Sequence, residues 1–188
     1  MSSTPAFMLL RRGATASFRR TCLNGRSFSS SAAAFQSLPI RIQGTGTGTV
    51  QTVSVPNKPY TFKADTYAVL GGTDASPSPV VYSLASLGAC TQVTGSVVAK
   101  DHNVRVGQWH VDVEGLLPTA VLVQGQEGNP NWERVTVTTR VQTDIAGGQA
   151  APAFQTFVSE VERRCPITQL FKRSGVEVVT AWENEPLE

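Results

Sequence analysis

The period of the apolar positions changes along this chain, and each change marks an element. Residues 38–43 extend, residues 44–48 interleave Gly with Thr, and residues 49–55 lead away extended, which predicts a β-hairpin with a glycine-rich turn. Those alternating glycines make a poor phosphate cradle, because no helix opens after them and no Lys-Ser/Thr closes the motif. Residues 60–65 add a short strand. At Ser78-Pro79 the period lengthens: Ser suits an N-cap and Pro the first helical position. Val80, Leu84, Leu87 and Thr91 then recur at helical spacing. Ser83, Ala85, Ser86, Gly88, Ala89, Gly95 and Ser96 keep that helix thin. Gly88 costs about 1 kcal/mol against Ala in a helix interior, a cost easier to bear if something passes close by. A helix built this way is expected at the centre of the protein.

Residues 104–113 and 132–141 return to alternation, joined by a loop holding Gly125, Gly128, Asn129 and Pro130. This predicts antiparallel strands with one covered face. A second helix begins near Pro152, where Phe154, Phe157, Val158, Val161 and Cys165 form an amphipathic stripe. Pro166 breaks it. A short helix over 167–173 follows, stopped by Gly175, and residues 176–182 make the last strand. Strands, helix, strands, helix pair and strand describe an α+β domain.

Charge changes the picture at one end. The first acidic residue of the 188 is Asp65, whereas Arg11, Arg12, Arg19, Arg20 and Arg26 crowd the start. Residues 1–36, rich in Arg, Ser and Ala, have the composition of a mitochondrial transit peptide. Phe7, Met8, Leu9 and Leu10 beside Arg11 and Arg12 allow the amphipathic helix that such a peptide needs, and residues 26–29 resemble a matrix-protease cleavage site. A secretory signal fits less well, because the apolar run is short and arginines interrupt it; a tail with no address is the plainer alternative. The expectation is a removable leader over 1–36, a single domain over 37–188, and delivery to the mitochondrion, its matrix in particular. From Ser29 onward the chain carries 11 basic and 14 acidic residues, a net of −3, so the positive net charge of +2 belongs to the leader. Such a body offers no electrostatic footprint for nucleic acid or an anionic membrane. No run of 18 apolar residues is present to span one.

Cys22 would leave with the leader, so Cys90 and Cys165 are the two thiols of the body. Both fall on predicted helices, and two buried structural thiols are the plain interpretation, since free Cys is among the most buried residue types. Zinc is poorly supported: His102 and His110 are the only histidines, and they form no short-spaced ligand pair with each other or with the cysteines. One local feature favours reactivity. If Cys165 caps the helix that starts at Pro166, its sulfur faces unpaired N–H groups, with Arg163 and Arg164 adding positive charge nearby.

Ser78-Pro79 followed by Ser83-Leu84-Ala85-Ser86-Leu87-Gly88-Ala89-Cys90-Thr91 resembles the signature of the OsmC/Ohr family around its first cysteine. Those are the osmotically inducible protein C and organic hydroperoxide resistance proteins. Glu162-Arg163-Arg164-Cys165-Pro166-Ile167 resembles the signature around the second, and Phe62, Asp65, Gly71, Gly72 and Ser76-Pro77-Ser78-Pro79 match the approach to the first helix. The similarity spans residues 38–183. It implies antiparallel strands around two central helices, an intertwined homodimer, and a thiol peroxidase of oxidative-stress defence acting on organic hydroperoxides. By position, Cys90 is implied as the peroxidatic thiol and Cys165 as the resolving one, with no cofactor or metal. The partners implied are a second copy, a small hydroperoxide, and a thiol or dithiol reductant. Thiolate attack on the peroxide gives a sulfenic acid that condenses to a disulfide.

The chain departs from that pattern at two places. Family peroxidases carry an Arg in the first hairpin and a Glu at the start of the first helix. Here the hairpin reads Gly44-Thr45-Gly46-Thr47-Gly48-Thr49 and the helix start Pro79-Val80-Val81. Arg41 and Lys58 are the cations that stand in for the Arg if any does. Without one, the Cys90 thiol is expected to have a raised pKa and to react slowly. Three functions therefore stay open: a slower hydroperoxide reductase, a redox or electrophile-handling thiol protein, and a member that binds an apolar ligand.

Overall fold

The computed structural model describes residues 37–187; the expected leader lies outside them. The elements are strands β1 (Gln43–Thr47), β2 (Val50–Ser54) and β3 (Thr61–Ala64), helix α1 (Pro79–Asp101), strand β4 (Val106–Leu116), helix α2 (Ala120–Gln124), strand β5 (Arg134–Thr143), helices α3 (Pro152–Arg164) and α4 (Pro166–Arg173), and strand β6 (Glu177–Pro186). They form two three-stranded sheets, β1-β2-β3 and β4-β5-β6. Among the described residues, no helix is long and apolar enough to cross a membrane.

The hairpin exists, but its turn is tighter than the glycine pattern suggests. Thr47 pairs with Val50, so the glycine-rich stretch is mostly strand, and only Gly48 and Thr49 turn. Gly48 sits at φ 61°, the left-handed region that glycine occupies without a Cβ penalty. Gly46 serves a different need: a Cβ there would run into the Val50 carbonyl oxygen across the ladder.

The α+β expectation holds, and β4 pairs antiparallel with β5. β6, however, joins β5 in parallel. The physical reason is the intervening helix pair, because a parallel neighbour needs a crossover of a dozen or more residues. Periodicity locates strands but not their direction. Helix α2 was expected as loop: five residues are too few for a repeating apolar face.

Along β5, Val135, Val137, Thr139, Val141 and Thr143 are buried in strict alternation, and this face packs under the helices. One cluster joins Val98 and Ala99 of α1 to Val141 and to Phe154, Phe157 and Val161 of α3, with Trp109 and Trp182 against it. The other joins Leu87 to Val135, Val137, Phe171 and Val176. The thin face of α1 is used as its small residues require. A Cβ at Gly88 would come within 3.3 Å of Val113, and one at Gly95 would strike the Trp109 ring. Both strand partners lie on β4.

Candidate thiol site

Cys90 lies mid-α1 and Cys165 at the junction of α3 and α4. Each therefore falls, in sequence, between residues of the two core clusters. The junction follows from the chain itself. The residue before a proline is pushed out of the α region, and Cys165 accordingly adopts φ −71°, ψ 113°. Pro166 takes the first position of α4, where its missing N–H costs nothing. Cys165 thus ends α3, donating its N–H to the Val161 carbonyl at 2.9 Å, and caps α4, its sulfur accepting the Thr168 N–H at 3.4 Å. The sequence expectation of a capping sulfur is met.

The two thiols lie close enough to influence one another's titration, and the Ile167 N–H acts on both. Cys90 Sγ lies 3.9 Å from the Thr94 hydroxyl. Both are free thiols; Cys165 is fully buried and Cys90 half-buried. Their environments pull in opposite directions. For Cys90, burial comes first, then the polar and charge interaction with the neighbouring Cys165 sulfur; together they push the thiol above its usual range. The Ile167 N–H and Thr94 hydroxyl offset this only in part. Cys165 also meets a burial penalty, but bonds from the Thr168 hydroxyl and N–H, from Cys90 and from the Ile167 N–H outweigh it. Its pKa falls below the ordinary thiol value.

The arginines beside Cys165 are engaged elsewhere. Arg163 pairs with Glu160 at 2.8 Å and Arg164 with Asp101 at 2.6 Å. Oriented N–H and O–H groups, rather than a neighbouring cation, favour the thiolate here. At the hairpin turn, Thr49 donates to Asp65 at 2.8 Å. Asp65 is buried and also accepts from the Thr73 N–H and hydroxyl and from the Ala75 N–H. These bonds hold its carboxyl far below the usual range, the Thr73 hydroxyl contributing most. Arg41 and Lys58 are both exposed. His102 caps the C-terminus of α1, and His110 lies exposed on the outer side of β4.

Two surface depressions flank the helix pair. A groove of about 230 Å³ between α1 and α4 is lined by Ser83, Ser86, Trp132, Ile167, Leu170 and Phe171. Ile167 links this apolar groove to the thiols. A larger cleft of about 630 Å³ lies on the far side of α3 and is lined mainly by polar groups, among them Glu162, Lys172 and Gln169. Glu162 there accepts from Lys172 at 2.8 Å and from the Trp182 indole at 3.1 Å.

The sequence model of the OsmC-like protein family matches residues 72–181, more than half of the chain and both cysteines. The chain belongs to the OsmC-like protein family. Solved structures of similar fold agree. An OsmC-like protein from Mycoplasma pneumoniae superposes with a TM-score of 0.64 at 13% identity, covering 79% of this chain and 99% of that one. An organic hydroperoxide resistance protein from Elizabethkingia anophelis, with crystallant-derived thiocyanate bound, gives 0.59 at 20%, covering 80% and 99%. The organic hydroperoxide resistance protein OhrB of Bacillus subtilis gives 0.51 at 18%, covering 77% and 98%. No curated protein matches the sequence.

Within this OsmC-like frame, sequence reasoning missed the groups that tune the thiols. Thr94 is one helical turn beyond Cys90, and Thr168 is the third residue after the Cys165 cap. The second was legible in principle, because an N-cap atom meets the N–H two or three residues on.

Proposed function

We propose that this OsmC-like protein is a thiol-dependent hydroperoxide reductase of oxidative-stress defence, in which Cys90 attacks the peroxide and Cys165 closes the disulfide. The observation that carries this reading is the meeting of two free thiols, 75 positions apart in sequence, with their pKa values pushed in opposite directions. Divergent pKa values in adjacent groups are a mark of assigned chemical roles. The apolar groove ending at Ile167 suits an organic hydroperoxide better than hydrogen peroxide. Two relatives of the same fold carry names describing organic hydroperoxide resistance. Cys90 attack leaves a sulfenic acid, Cys165 displaces water from it, and a thiol or dithiol reductant restores the pair.

The raised Cys90 thiol favours a second reading, a redox or electrophile-handling thiol protein without efficient peroxide turnover. Turnover by the purified protein decides between them. Organic hydroperoxides and hydrogen peroxide are compared, each with several thiol reductants. Catalytic consumption of an organic hydroperoxide that is abolished by Cys90→Ser supports the reductase. Stoichiometric consumption at the rate of an ordinary thiol supports the alternative.

The working form in this reading is an intertwined homodimer. Val50 and Phe62 of the β1-β2-β3 sheet, Tyr60 just before β3, and Val81, Val93 and Val97 of α1 are exposed; a second copy related by a two-fold axis covers such positions. Residues 1–36 act as the import leader, so fusing them to a fluorescent protein should send it to mitochondria. A cytosolic signal would remove that assignment.

A further inference from the structure

We propose that Glu162 is a positioning residue for disulfide closure: it clasps the bend between α3 and α4 and so holds the Cys165 sulfur where it can close on Cys90. The closing step is that of the reductase reading above, on which this role rests.

A bend between two helices needs something to set its angle. Pro166 has no N–H, so the helical ladder cannot run through the junction. Cys165 stands there in extended backbone, at φ −71° and ψ 113°. Its own N–H reaches back to the Val161 carbonyl at 2.9 Å, and its carbonyl accepts the Gln169 N–H at 3.0 Å. The angle between the helices is therefore left largely to side chains. Glu162, three residues before the cysteine, supplies the bonds that cross the bend. Its carboxylate accepts from Lys172 Nζ, in the last turn of α4, at 2.8 Å. Its backbone carbonyl accepts from Gln169 Nε2, also of α4, at 2.9 Å. The other carboxylate oxygen accepts from the Trp182 indole of β6 at 3.1 Å. That indole is itself fixed, its ring 6.3 Å from Trp109 and 6.5 Å from Phe157. The clasp thus ties the bend to the aromatic core. The Glu162 side chain is only 19% exposed, and bonds to a charged acceptor are the stronger kind.

The neighbouring arginines do not share this work. Arg163 pairs with Glu160 on its own helix, and Arg164 pairs with Asp101 of α1; neither pair crosses to α4. Cys165 is fully buried, so its sulfur depends on the bend for its place. In closing, the Cys165 thiolate attacks the sulfur of the Cys90 sulfenic acid. The S–S bond forms as the S–O bond breaks, and hydroxide leaves and is protonated by water. The Cys90 sulfur is reduced and the Cys165 sulfur oxidised.

The test uses the full chain with Cys22→Ser, so that two thiols remain, and separates closing from peroxide attack. Closing is timed after an organic hydroperoxide and, separately, with diamide, an azo oxidant that takes two electrons and two protons from a thiol pair. Glu162→Ala should slow closing about tenfold or more in both arms, the scale of a sub-ångström to ångström misplacement. Single-turnover consumption of the hydroperoxide, which reads the Cys90 step, should keep the parent's rate. Glu162→Gln retains an acceptor for the Trp182 indole and should recover part of the loss. Arg163→Gln removes an equally short ion pair from the same helix without touching the bend, and should leave closing unchanged. Circular dichroism checks that each variant folds. If Glu162→Ala does not, Glu162→Gln and Lys172→Met carry the test, each breaking the ion pair across the bend and slowing closing by a smaller factor. Closing at the parent's rate in the Glu162 variants, or equal slowing by Arg163→Gln, overturns the proposal. A parent in which diamide forms no Cys90–Cys165 disulfide overturns it too. If hydroperoxide oxidises neither cysteine of the parent while closing by diamide depends on Glu162, the reductase reading falls and the positioning role stands.

Discussion

β5 buries Val135, Val137 and Val141 beneath three helices, whereas β2, the central strand of the other sheet, buries Val53 alone. β1 is exposed throughout, and β3 buries only Ala64. The N-terminal sheet meets the rest of its own chain chiefly where Tyr82, in the first turn of α1, donates to the Lys63 carbonyl and packs its ring 5.3 Å from that of Phe62. Two sheets of equal strand number thus stand on different footings. The β4-β5-β6 sheet is completed by α1, α3 and α4, and its core positions the thiols. The β1-β2-β3 sheet buries only Val53 and Ala64 and leaves Phe62, on the same face as Val53, 38% exposed. A three-stranded sheet needs a hydrophobic face packed on something to be stable, so the contrast teaches that within one chain this sheet is the less supported of the two.

Substitutions should separate the two regions. The largest effect is expected in the helix-covered core. Phe157, 1% exposed and packed on Phe154, Trp109 and Trp182, should cost about 3–5 kcal/mol when truncated to Ala, read by urea unfolding. Phe62→Ala, in the other sheet, should leave that core intact and, under the homodimer proposed above, raise the dissociation constant in sedimentation. A concentration-independent monomer would break the comparison.

Glycines sharpen it at smaller scale. Gly95→Val drives a branched side chain into the Trp109 ring and should destabilise by about 1–3 kcal/mol through overpacking. Gly48→Ala meets no atom within 4 Å and suffers only from its left-handed backbone, about 1 kcal/mol. Equal losses at the two positions would contradict the account of why each is glycine.

Asp65 gives the smallest and most local effect. Its pKa lies below the unfolded value, so its contribution is complete above about pH 4 and is lost as pH falls below that. Hydrogen-exchange protection of the Thr73 and Ala75 amides should decline with acid before the β5 amides change, and Asp65→Ala should remove it at neutral pH. Protection of Thr73 and Ala75 that outlasts that of β5 would contradict this.

Much of this arrangement was legible in the sequence, and the limits are physical. The stripe Phe154, Phe157, Val158, Val161 and Cys165 predicted one covered face; four of the five are buried and Val158 is half-buried. The Cys165-Pro166 pair predicted the helix junction and the capped sulfur. The small residues of α1 predicted a close neighbour, found in Trp109, Val111 and Val113. The parallel placement of β6 was not legible, because side-chain alternation is the same in either direction. Nor was the hairpin turn, where glycine is demanded by strand approach at Gly46 and by backbone angle at Gly48, two causes with one residue type. The engagement of Arg163 and Arg164 with Glu160 and Asp101 depends on helix packing. The extra positive charge expected beside Cys165 therefore gives way to donors from Thr168 and Ile167.

The measurement that bears most directly on the thiol pair is the count and location of thiols after one equivalent of organic hydroperoxide. The account predicts loss of both body thiols, one internal Cys90–Cys165 disulfide by peptide mapping, and, in Cys165→Ser, a sulfenic acid on Cys90 captured by a dimedone-type probe. Oxidation of neither cysteine faster than an ordinary exposed thiol, or a disulfide formed between subunits through one residue alone, would contradict it.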